Sequence, residues 1–595
     1  MAPTRSNDWA MKGGSIDMTE RIAECDAQQF ALDLDEAPEA EAHSSGLGKR
    51  EAALGLAAFA PLALEACGEG GSSGGGTPTP SPTPTPTTPP LTAAQSSRFL
   101  TQATMGASKT DISNLQGTTI TAWLNTQLGM ARPQKFWDFL ANNGYNVAAN
   151  VNNQAGFDAM IWAQLMSSSD TLRQRVGLAL IDMIVVSIDG FSSSWEAQVM
   201  AAYLDVLWDN AFGNYRELLD GVASSAAMAY YLTFLGNTKA NATTGSVPDE
   251  NFARELMQLF TLGLYQLNPD GSQVLSGGKP VETYTQADVS GLARVWTGWN
   301  LANNDNSTPD RMRLPLVANA AQHETGAKTF LTTTIPAGTD AVNSRKLALD
   351  AIFAHPNLPP FVSKQLIQHM VTSNPSPAYI GRVSAVFANN GNGVRGDMKA
   401  VIRAILTDSE ARDDANITST SFGKLREPVV RLTQWARAFG VTSPTNLWPF
   451  GSTVSSATRL AQSPGRSPSV FNFFRPGYTP PGSSVAAQGL VAPEFQIVNE
   501  PSVVAYINYM QTLIVNGAGE AKPDYSSLTS LISDSQALLN ELNLVLAANQ
   551  IGSTTIASMK TALDSIAVTT TTGQNNRLYA AIVLVMAAPE YLVQK

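Results

Sequence analysis

Apolar residues recur at helical spacing along most of the chain from Leu91 onward, and this pattern constrains the fold most. Residues 396–410 show it best, because their apolar side chains follow one another at i, i+3, i+4, i+7 and i+8: Met398, Val401, Ile402, Ile405 and Leu406. This spacing predicts a single buried stripe on an α-helix. Asp397 precedes the stripe, where a carboxylate can cap the free amides of the first turn. We therefore predict an amphipathic helix with Asp397 as its cap.

The same periodicity recurs through the body of the chain, whereas strand patterns are few. It predicts helices in residues 172–186, 195–235, 379–388 and 526–595. Residues 311–336 alternate poorly and predict either a small β element or an ordered loop. Residues 463–500 are rich in Pro, Gly, Phe and Asn, which favours a long ordered loop. The predicted fold class is all-α: a large multi-helix globular domain with long ordered loops and at most a small β element.

The charge balance limits the classes of partner. Hydrophobic residues make up 44% of the chain, which is enough for a large core, and the net charge is −11. A negative protein has no general affinity for phosphate backbones. We therefore predict that the protein binds no nucleic acid.

Cysteine and histidine are scarce in the part of the chain that is predicted to fold. Both cysteines, Cys25 and Cys67, precede it, so the body has neither a disulfide nor a thiolate. Its histidines are His323, His355 and His369, and none belongs to an HExxH or CxxCH motif. We therefore predict no metal site and no cofactor.

The N-terminal region has the pattern of an export signal. Lys49-Arg50 precedes a mostly apolar run at 52–64, which is too short to span a bilayer and has the length of a signal-peptide core. Residues 64–67, Leu-Glu-Ala-Cys, resemble the lipobox of bacterial lipoproteins, in which the cysteine thiol is acylated. The basic pair resembles a relaxed twin-arginine signal. The alternative interpretation is a short buried helix before a linker.

These features divide the chain into three parts. Residues 1–67 are the predicted leader, and residues 68–91 are a linker rich first in Gly and Ser and then in Pro and Thr. Residues 92–595 are the predicted helical domain, either one body or two packed lobes. We expect an exported protein in the periplasm or the outer membrane, attached to the membrane only by a lipid on Cys67.

Several ordered blocks in the body carry a family resemblance. They are GNTKANATTGSVPDENFARELMQLFTLGL at 236–264, YTQADVSGLARVWTGW at 284–299, HETGAKTFL at 323–331, AIFAHPNLPPFVSKQLIQHMV at 351–371 and SPSVFNFFRPGYTPPG at 467–482. Together they resemble DUF1800, a bacterial family of unknown function, from about Ser97 to the C-terminus. The resemblance implies an exported helical protein that is often encoded beside a sulfatase-like protein of the DUF1501 family. It implies no catalytic residues.

The first block supplies four candidate ligand-binding residues. On a helix through 250–263, one face is apolar and the other presents polar side chains. The candidates on the polar face are Glu250, Asn251, Arg254 and Glu255. One interpretation is a solvated face held by surface ion pairs. The other is a cleft in which Arg254 holds an anionic or sugar ligand and Glu255 orients it or acts as a base.

The second block adds Asp288, Arg294 and Trp299. Thr285 and Asp288 have the spacing of a capping box, which favours a structural role for Asp288 over that of a catalytic acid. Trp299 offers an aromatic face on which a sugar could stack, although a tryptophan in the core is the more common arrangement.

The remaining candidates are His323, Lys328 and Arg475. His323 is the residue type that titrates near neutrality, and it lies in a polar loop with Lys328. A lone histidine in a loop is nevertheless more often structural than catalytic. Arg475 follows three phenylalanines in the loop 467–482, which either packs as a lid on the helical core or contacts a partner.

Two functions follow from these candidates. The first is an envelope protein that binds a partner protein or a glycan, the DUF1501 sulfatase-like protein being the partner that the resemblance implies. The second is a polysaccharide-directed hydrolase or lyase that uses clustered carboxylates, Glu250, Glu255 and Asp288, with His323. The distances between the carboxylates decide between these functions, and a sequence does not contain them.

Overall fold

The computed structural model describes residues 90–595, in which polar caps start a long series of α-helices. The helices are α1 (Ala93–Ala103), α2 (Lys109–Gln116), α3 (Ile120–Gly129), α4 (Phe136–Asn142), α5 (Phe157–Ser167), α6 (Thr171–Met183), α7 (Glu196–Asp209), α8 (Tyr215–Ala223), α9 (Ala226–Tyr231), α10 (Asn251–Gln258), α11 (Gln286–Ala293), α12 (Ala341–Ala354), α13 (Leu358–Met370), α14 (Pro377–Ala388), α15 (Met398–Thr407), α16 (Ser409–Arg412), α17 (Pro428–Ala438), α18 (Ser484–Ala487), α19 (Glu500–Asn516), α20 (Ser535–Ala547), α21 (Ser553–Asp564), α22 (Thr571–Ala587) and α23 (Pro589–Leu592). Short 3-10 helices connect several of them, among them Arg294–Trp296 and Pro493–Ile497.

Helix α15 shows how the local sequence starts these elements. The Asp397 side chain accepts a hydrogen bond from the backbone amide of Ala400 at 3.3 Å, as a cap of the first turn does. All five apolar residues of the predicted stripe are buried. The prediction from periodicity is therefore confirmed for this helix.

The β structure in residues 90–595 consists of four two-stranded antiparallel sheets. The pairs are β1 (Leu275–Ser276) with β2 (Lys279–Pro280), β3 (Trp299–Asn300) with β4 (Val317–Ala318), β5 (Lys328–Phe330) with β6 (Thr333–Ile335), and β7 (Lys424–Leu425) with β8 (Val593–Gln594). The last pair joins the C-terminal end of the chain to a segment about 170 residues earlier. The predicted fold class, all-α with a small β component, is confirmed.

A continuous hydrophobic core connects the helices, and α6 lies inside it. Nearly every side chain of α6 is buried, including those of Arg173 and Arg175. A helix that is buried on all sides must pair its charged side chains internally, because unpaired buried charge is costly. Helix α6 therefore places charged side chains inside the protein, where they need partners.

Two segments differ from or refine the predictions. Helix α10 ends at Gln258 rather than continuing to 263. The next backbone amides donate to the carbonyls of Glu255 and Met257, which closes the helix. Gly263 then adopts a φ of +76°. Residues 463–500 are largely an ordered loop that includes the short helix α18.

The predicted leader, Cys67 and the linker up to residue 89 lie outside the described residues. Within residues 90–595, no helix combines the length and the hydropathy that a membrane crossing requires.

Candidate functional site

Glu250 and Arg254 lie in a half-exposed polar network that joins α10 to α11. The two Glu250 carboxylate oxygens accept hydrogen bonds from Gln286 Nε2 at 2.6 Å and from Ser290 Oγ at 2.5 Å. Arg254 Nη2 donates to Glu250 Oε2 at 3.2 Å and to Gln286 Oε1 at 3.1 Å. These side chains mainly bond one another across the surface, which holds the two helices together.

The other two candidates of the first block have different surroundings. The Asn251 backbone amide donates to Asp249 Oδ1 at 2.8 Å, at the start of α10. Glu255 is buried, 6% exposed, rather than on the solvated face. Its carboxylate lies near the phenols of Tyr231 and Tyr284, whose pKa values burial raises most and the negative charge of Glu255 raises further.

Both carboxylate oxygens of Asp288 serve the local fold. Oδ2 accepts hydrogen bonds from the backbone amide and the hydroxyl of Thr285, each at 2.7 Å, which completes the capping box of α11. Oδ1 accepts from the backbone amide of Leu331 at 2.5 Å. Asp288 therefore ties α11 to the β5–β6 hairpin.

His323 is buried beside α12, with an exposure of 1%. Its Nδ1 lies 2.9 Å from the carbonyl oxygen of Thr297, and its Nε2 lies 3.3 Å from Ser344 Oγ. Burial lowers the pKa of His323, and the nearby Lys328 ammonium lowers it further. The imidazole is thus a neutral hydrogen-bonding bridge inside the protein.

The neighbours of His323 are also turned inward. Lys328 is fully buried, and its Nζ donates to the Gly326 carbonyl at 3.4 Å. Arg294 Nη2 lies 3.4 Å from Glu324 Oε1. Trp299 is 1% exposed, its Nε1 donates to the Val295 carbonyl at 3.3 Å, and the Arg345 guanidinium covers its ring. With these contacts, the Trp299 ring has no exposed face on which a sugar could stack.

Arg475 lies on the surface in the loop 467–482, apart from these networks. Its guanidinium sits 4.7 Å from the centre of the Phe471 ring, and its backbone amide donates to Gln496 Oε1 at 2.8 Å. Phe474, next to it, is 4% exposed and packs on the imidazole of His369. The loop thus covers the core at a place where the sequence had suggested no site.

Beneath this loop lies a set of buried charged residues that the candidate residues did not include. We call it the ionic cluster, and it comprises Arg175, Asp182, His369, Lys424, Glu427 and Glu494. These residues come from α6, α13, β7, the start of α17 and the 3-10 helix at Pro493–Ile497. The cluster therefore joins segments that are far apart in the sequence.

Lys424 is central to the ion pairs of the cluster. Its Nζ lies 3.3 Å from Glu427 Oε1 and 3.0 Å from Glu494 Oε1, and it donates to the His369 carbonyl at 2.7 Å. Arg175 also donates to that carbonyl, and its Nη1 lies 3.8 Å from Glu427 Oε1. Gln462 Nε2 donates to Glu427 Oε2 at 2.9 Å. Glu427 thus accepts hydrogen bonds from Lys424 and Gln462 and forms a longer ion pair with Arg175.

The carboxylates of the cluster titrate very differently. Burial raises the pKa of Asp182 well above its usual value, and the negative charge of Glu427 raises it further. Burial also acts to raise the pKa of Glu427, but Lys424 and Arg175 outweigh it and hold that pKa at about 2. Burial raises the pKa of Glu494. Asp182 and Glu427 therefore form an acid–carboxylate pair.

Three of these residues could hold a metal ion. Asp182, His369 and Glu427 each present one ligand atom, and these atoms lie within 4.8 Å of one another. Burial lowers the pKa of His369 to about 3, which leaves the imidazole in the neutral form that ligates metals. The three donors lie far apart in the sequence and belong to no metal-binding motif, so the sequence did not indicate them. The one local sign is that two charged residues, Arg175 and Asp182, lie in a helix that also contains a run of apolar residues at 176–181.

Comparison with known proteins identifies the family but gives no information on ligands or catalytic residues. A family model described as "Protein of unknown function (DUF1800)" matches residues 98–593. Neither the curated proteins nor the solved structures gave a match. No relative therefore supplies a substrate or a catalytic residue for this site.

Proposed function

The chain belongs to the DUF1800 family of proteins of unknown function, and from that premise we propose that it is an exported, lipid-anchored protein that binds a partner protein in the cell envelope. The observation behind this proposal is the order of features before the body. Residues 49–91 contain, in order, a basic pair, an apolar run with the length of a signal-peptide core, Cys67 and a Pro/Thr-rich tether.

The start of the body is consistent with a tethered arrangement. Helix α1 begins directly after the Pro/Thr-rich tether, and Thr92 caps it through a capping box with Gln95. The body thus starts with its own cap, and Leu91, the last residue of the tether, packs against the core. A lipid on Cys67 would then hold the body near the membrane without a spanning helix.

The placement of the candidate residues favours binding of a protein over the alternative hydrolase or lyase. That alternative needs His323 and a carboxylate to reach one substrate. His323 is buried, and both oxygens of Asp288 are engaged in the fold. Stacking of a glycan on Trp299 is disfavoured for the same reason, because the Trp299 ring is buried in the core.

Replacement of Cys67 tests the anchor. The full chain with a C-terminal tag is expressed in a bacterial host that processes lipoproteins, and acylation is measured by fatty-acid labelling and by the mass of the mature N-terminus. We expect the wild-type protein in the membrane fraction and Cys67→Ala without label. Cys25→Ala is the matched control and should retain the label. An unlabelled wild-type chain in the cytosol with its leader intact would refute export and anchoring.

The partner is tested by crosslinking in the native envelope, followed by capture through the tag and identification of the bound molecules. We expect one protein at a reproducible ratio to the bait, with the DUF1501 sulfatase-like protein as the first candidate. A saccharide recovered in place of a protein would contradict the proposed class of partner.

A further inference from the structure

We propose that Asp182, His369 and Glu427 bind one divalent transition-metal ion of the zinc class inside the ionic cluster. This inference does not depend on the proposed envelope function. It rests on the positions of three side chains from α6, α13 and the start of α17.

Two buried donor atoms face each other without a hydrogen bond. Asp182 Oδ2 and His369 Nδ1 are 4.0 Å apart, and neither atom has a hydrogen-bond partner of normal geometry among the described residues, while Glu427 and Asn472 lie next to the Asp182 carboxyl group. Both side chains are only 7% exposed. A buried polar atom left unpaired is unfavourable, so a ligand that satisfies both atoms at once has a physical advantage.

The donor types and spacing suit a metal such as Zn²⁺. One imidazole nitrogen and two carboxylate oxygens are ligands that zinc, manganese and ferrous iron accept. Tetrahedral coordination with bonds of about 2.0–2.1 Å places donor atoms about 3.3 Å apart. Asp182 Oδ2 and His369 Nδ1 are 4.0 Å apart and the three donor atoms lie within 4.8 Å of one another, so binding would draw them together by up to about 1.5 Å.

The charges of the cluster leave room for a cation. It contains three carboxyl groups, on Asp182, Glu427 and Glu494, and two basic side chains, Arg175 and Lys424. The ion pairs of Arg175 and Lys424 go to Glu427 and Glu494, whereas the one pairing of Asp182 within 4.0 Å among the described residues is with His369. A metal ion between Asp182 Oδ2 and His369 Nδ1 would give both atoms a partner.

Neighbouring residues already orient the donors. Gln462 and Lys424 hold Glu427, and the His369 backbone carbonyl accepts from Arg175 and Lys424. Supporting bonds of this kind fix ligand geometry in metalloproteins. Phe474 packs on His369 from the loop 467–482, so the proposed site is enclosed and water has little access.

The test is the metal content of the purified full chain. Metals are measured by mass spectrometry after purification without metal-affinity steps; the protein is then stripped with EDTA and titrated with Zn²⁺ by calorimetry. We expect about one equivalent per chain and release of protons on binding, since ligands must be deprotonated. Cobalt added in place of zinc should give the visible absorption bands of a bound ion.

Variants locate the ion. Asp182→Asn keeps the shape of the side chain and should weaken Zn²⁺ binding by at least about 100-fold, beyond the loss that follows removal of a supporting residue. Asp205→Asn and His323→Gln remove a buried carboxylate and a buried imidazole elsewhere, and should leave the affinity unchanged. If Asp182→Asn does not fold, His369→Gln replaces it.

The proposal fails if the stripped wild-type protein takes up no zinc, manganese, iron or cobalt in a one-to-one ratio. It also fails if Asp182→Asn and His369→Gln bind zinc as tightly as the wild type. The first result would show that the cluster binds no metal ion, and the second would show that any bound zinc lies elsewhere. The metal stoichiometry of the wild-type protein tests the proposal even if both variants are unstable.

Discussion

The ring of Phe474 packs against the imidazole of His369, with 6.4 Å between the ring centres and 36° between their planes. Phe474 belongs to the loop 467–482, and Gln368 beside His369 donates to the carbonyl of Pro476 in the same loop. The loop therefore covers the ionic cluster, which is the lid arrangement that its aromatic residues suggested.

Phe474→Ala should destabilise the protein by about 3–5 kcal/mol, because it removes a buried ring and opens the ionic cluster to water. Denaturant unfolding measures the change, and hydrogen exchange in the loop 467–482 should become faster. Phe495→Ala is the control, since this phenylalanine is 38% exposed and its loss should cost little. Equal unfolding midpoints for the two variants would mean that the ring of Phe474 does not seal the cluster.

Gly291→Ala should destabilise the protein by at least about 2 kcal/mol, because α11 packs closely on β5. A Cβ atom at Gly291 would lie 1.8 Å from the backbone oxygen of Thr329, which cannot move without disturbing the hairpin. Thermal unfolding of the variant tests this.

Gly129→Ala is the matched control for that substitution. Gly129 is also helical, at the end of α3, but a Cβ atom there meets nothing within 4 Å. This variant should be neutral or more stable by up to about 1 kcal/mol, since alanine restricts the unfolded chain. Similar losses of stability in Gly291→Ala and Gly129→Ala would argue against close packing of α11 on β5.

Glu427→Gln should cost about 3–5 kcal/mol, because it leaves Lys424 and Arg175 buried without their main counter-charge. Glu494→Gln should cost less. Burial raises the pKa of Glu494, so the neutral amide resembles a form that this site already favours. Unfolding midpoints of both variants at pH 7 give the comparison. The reverse order would show that Glu494, rather than Glu427, balances the two cations.

The contribution of His323 to stability should fall as the pH is lowered. Burial holds the pKa of His323 below its usual value of 6.5, so the unfolded chain takes up a proton before the folded protein does. The unfolded state then binds more protons, and stability declines below about pH 6.5 by up to about 1.4 kcal/mol per pH unit until the folded pKa is reached.

This pH dependence is measured as the difference in unfolding free energy between the wild type and His323→Gln from pH 8 to pH 5. The difference should shift in favour of the variant on acidification. A shift in favour of the wild type would mean that His323 is protonated in the folded protein and has an acidic partner there.

Local sequence patterns were sufficient for the helices and their caps. Asp397 and the Thr285–Asp288 pair bond to amides within three residues of themselves, and the apolar stripe of α15 repeats with the helical turn. Such features depend on neighbours within about one turn of helix, which the sequence displays directly. The all-α class with small β pairs follows from the same local information.

Burial and long-range contacts were decided only by the tertiary structure. The sequence favoured a core position for Trp299 and a structural role for His323, but it did not show which distant segments of the chain enclose them. Asp182, His369 and Glu427 meet although the first two are separated by nearly 190 residues. No periodicity encodes such a meeting, because the position of a buried charge depends on how whole helices pack and on which opposite charge they bring beside it.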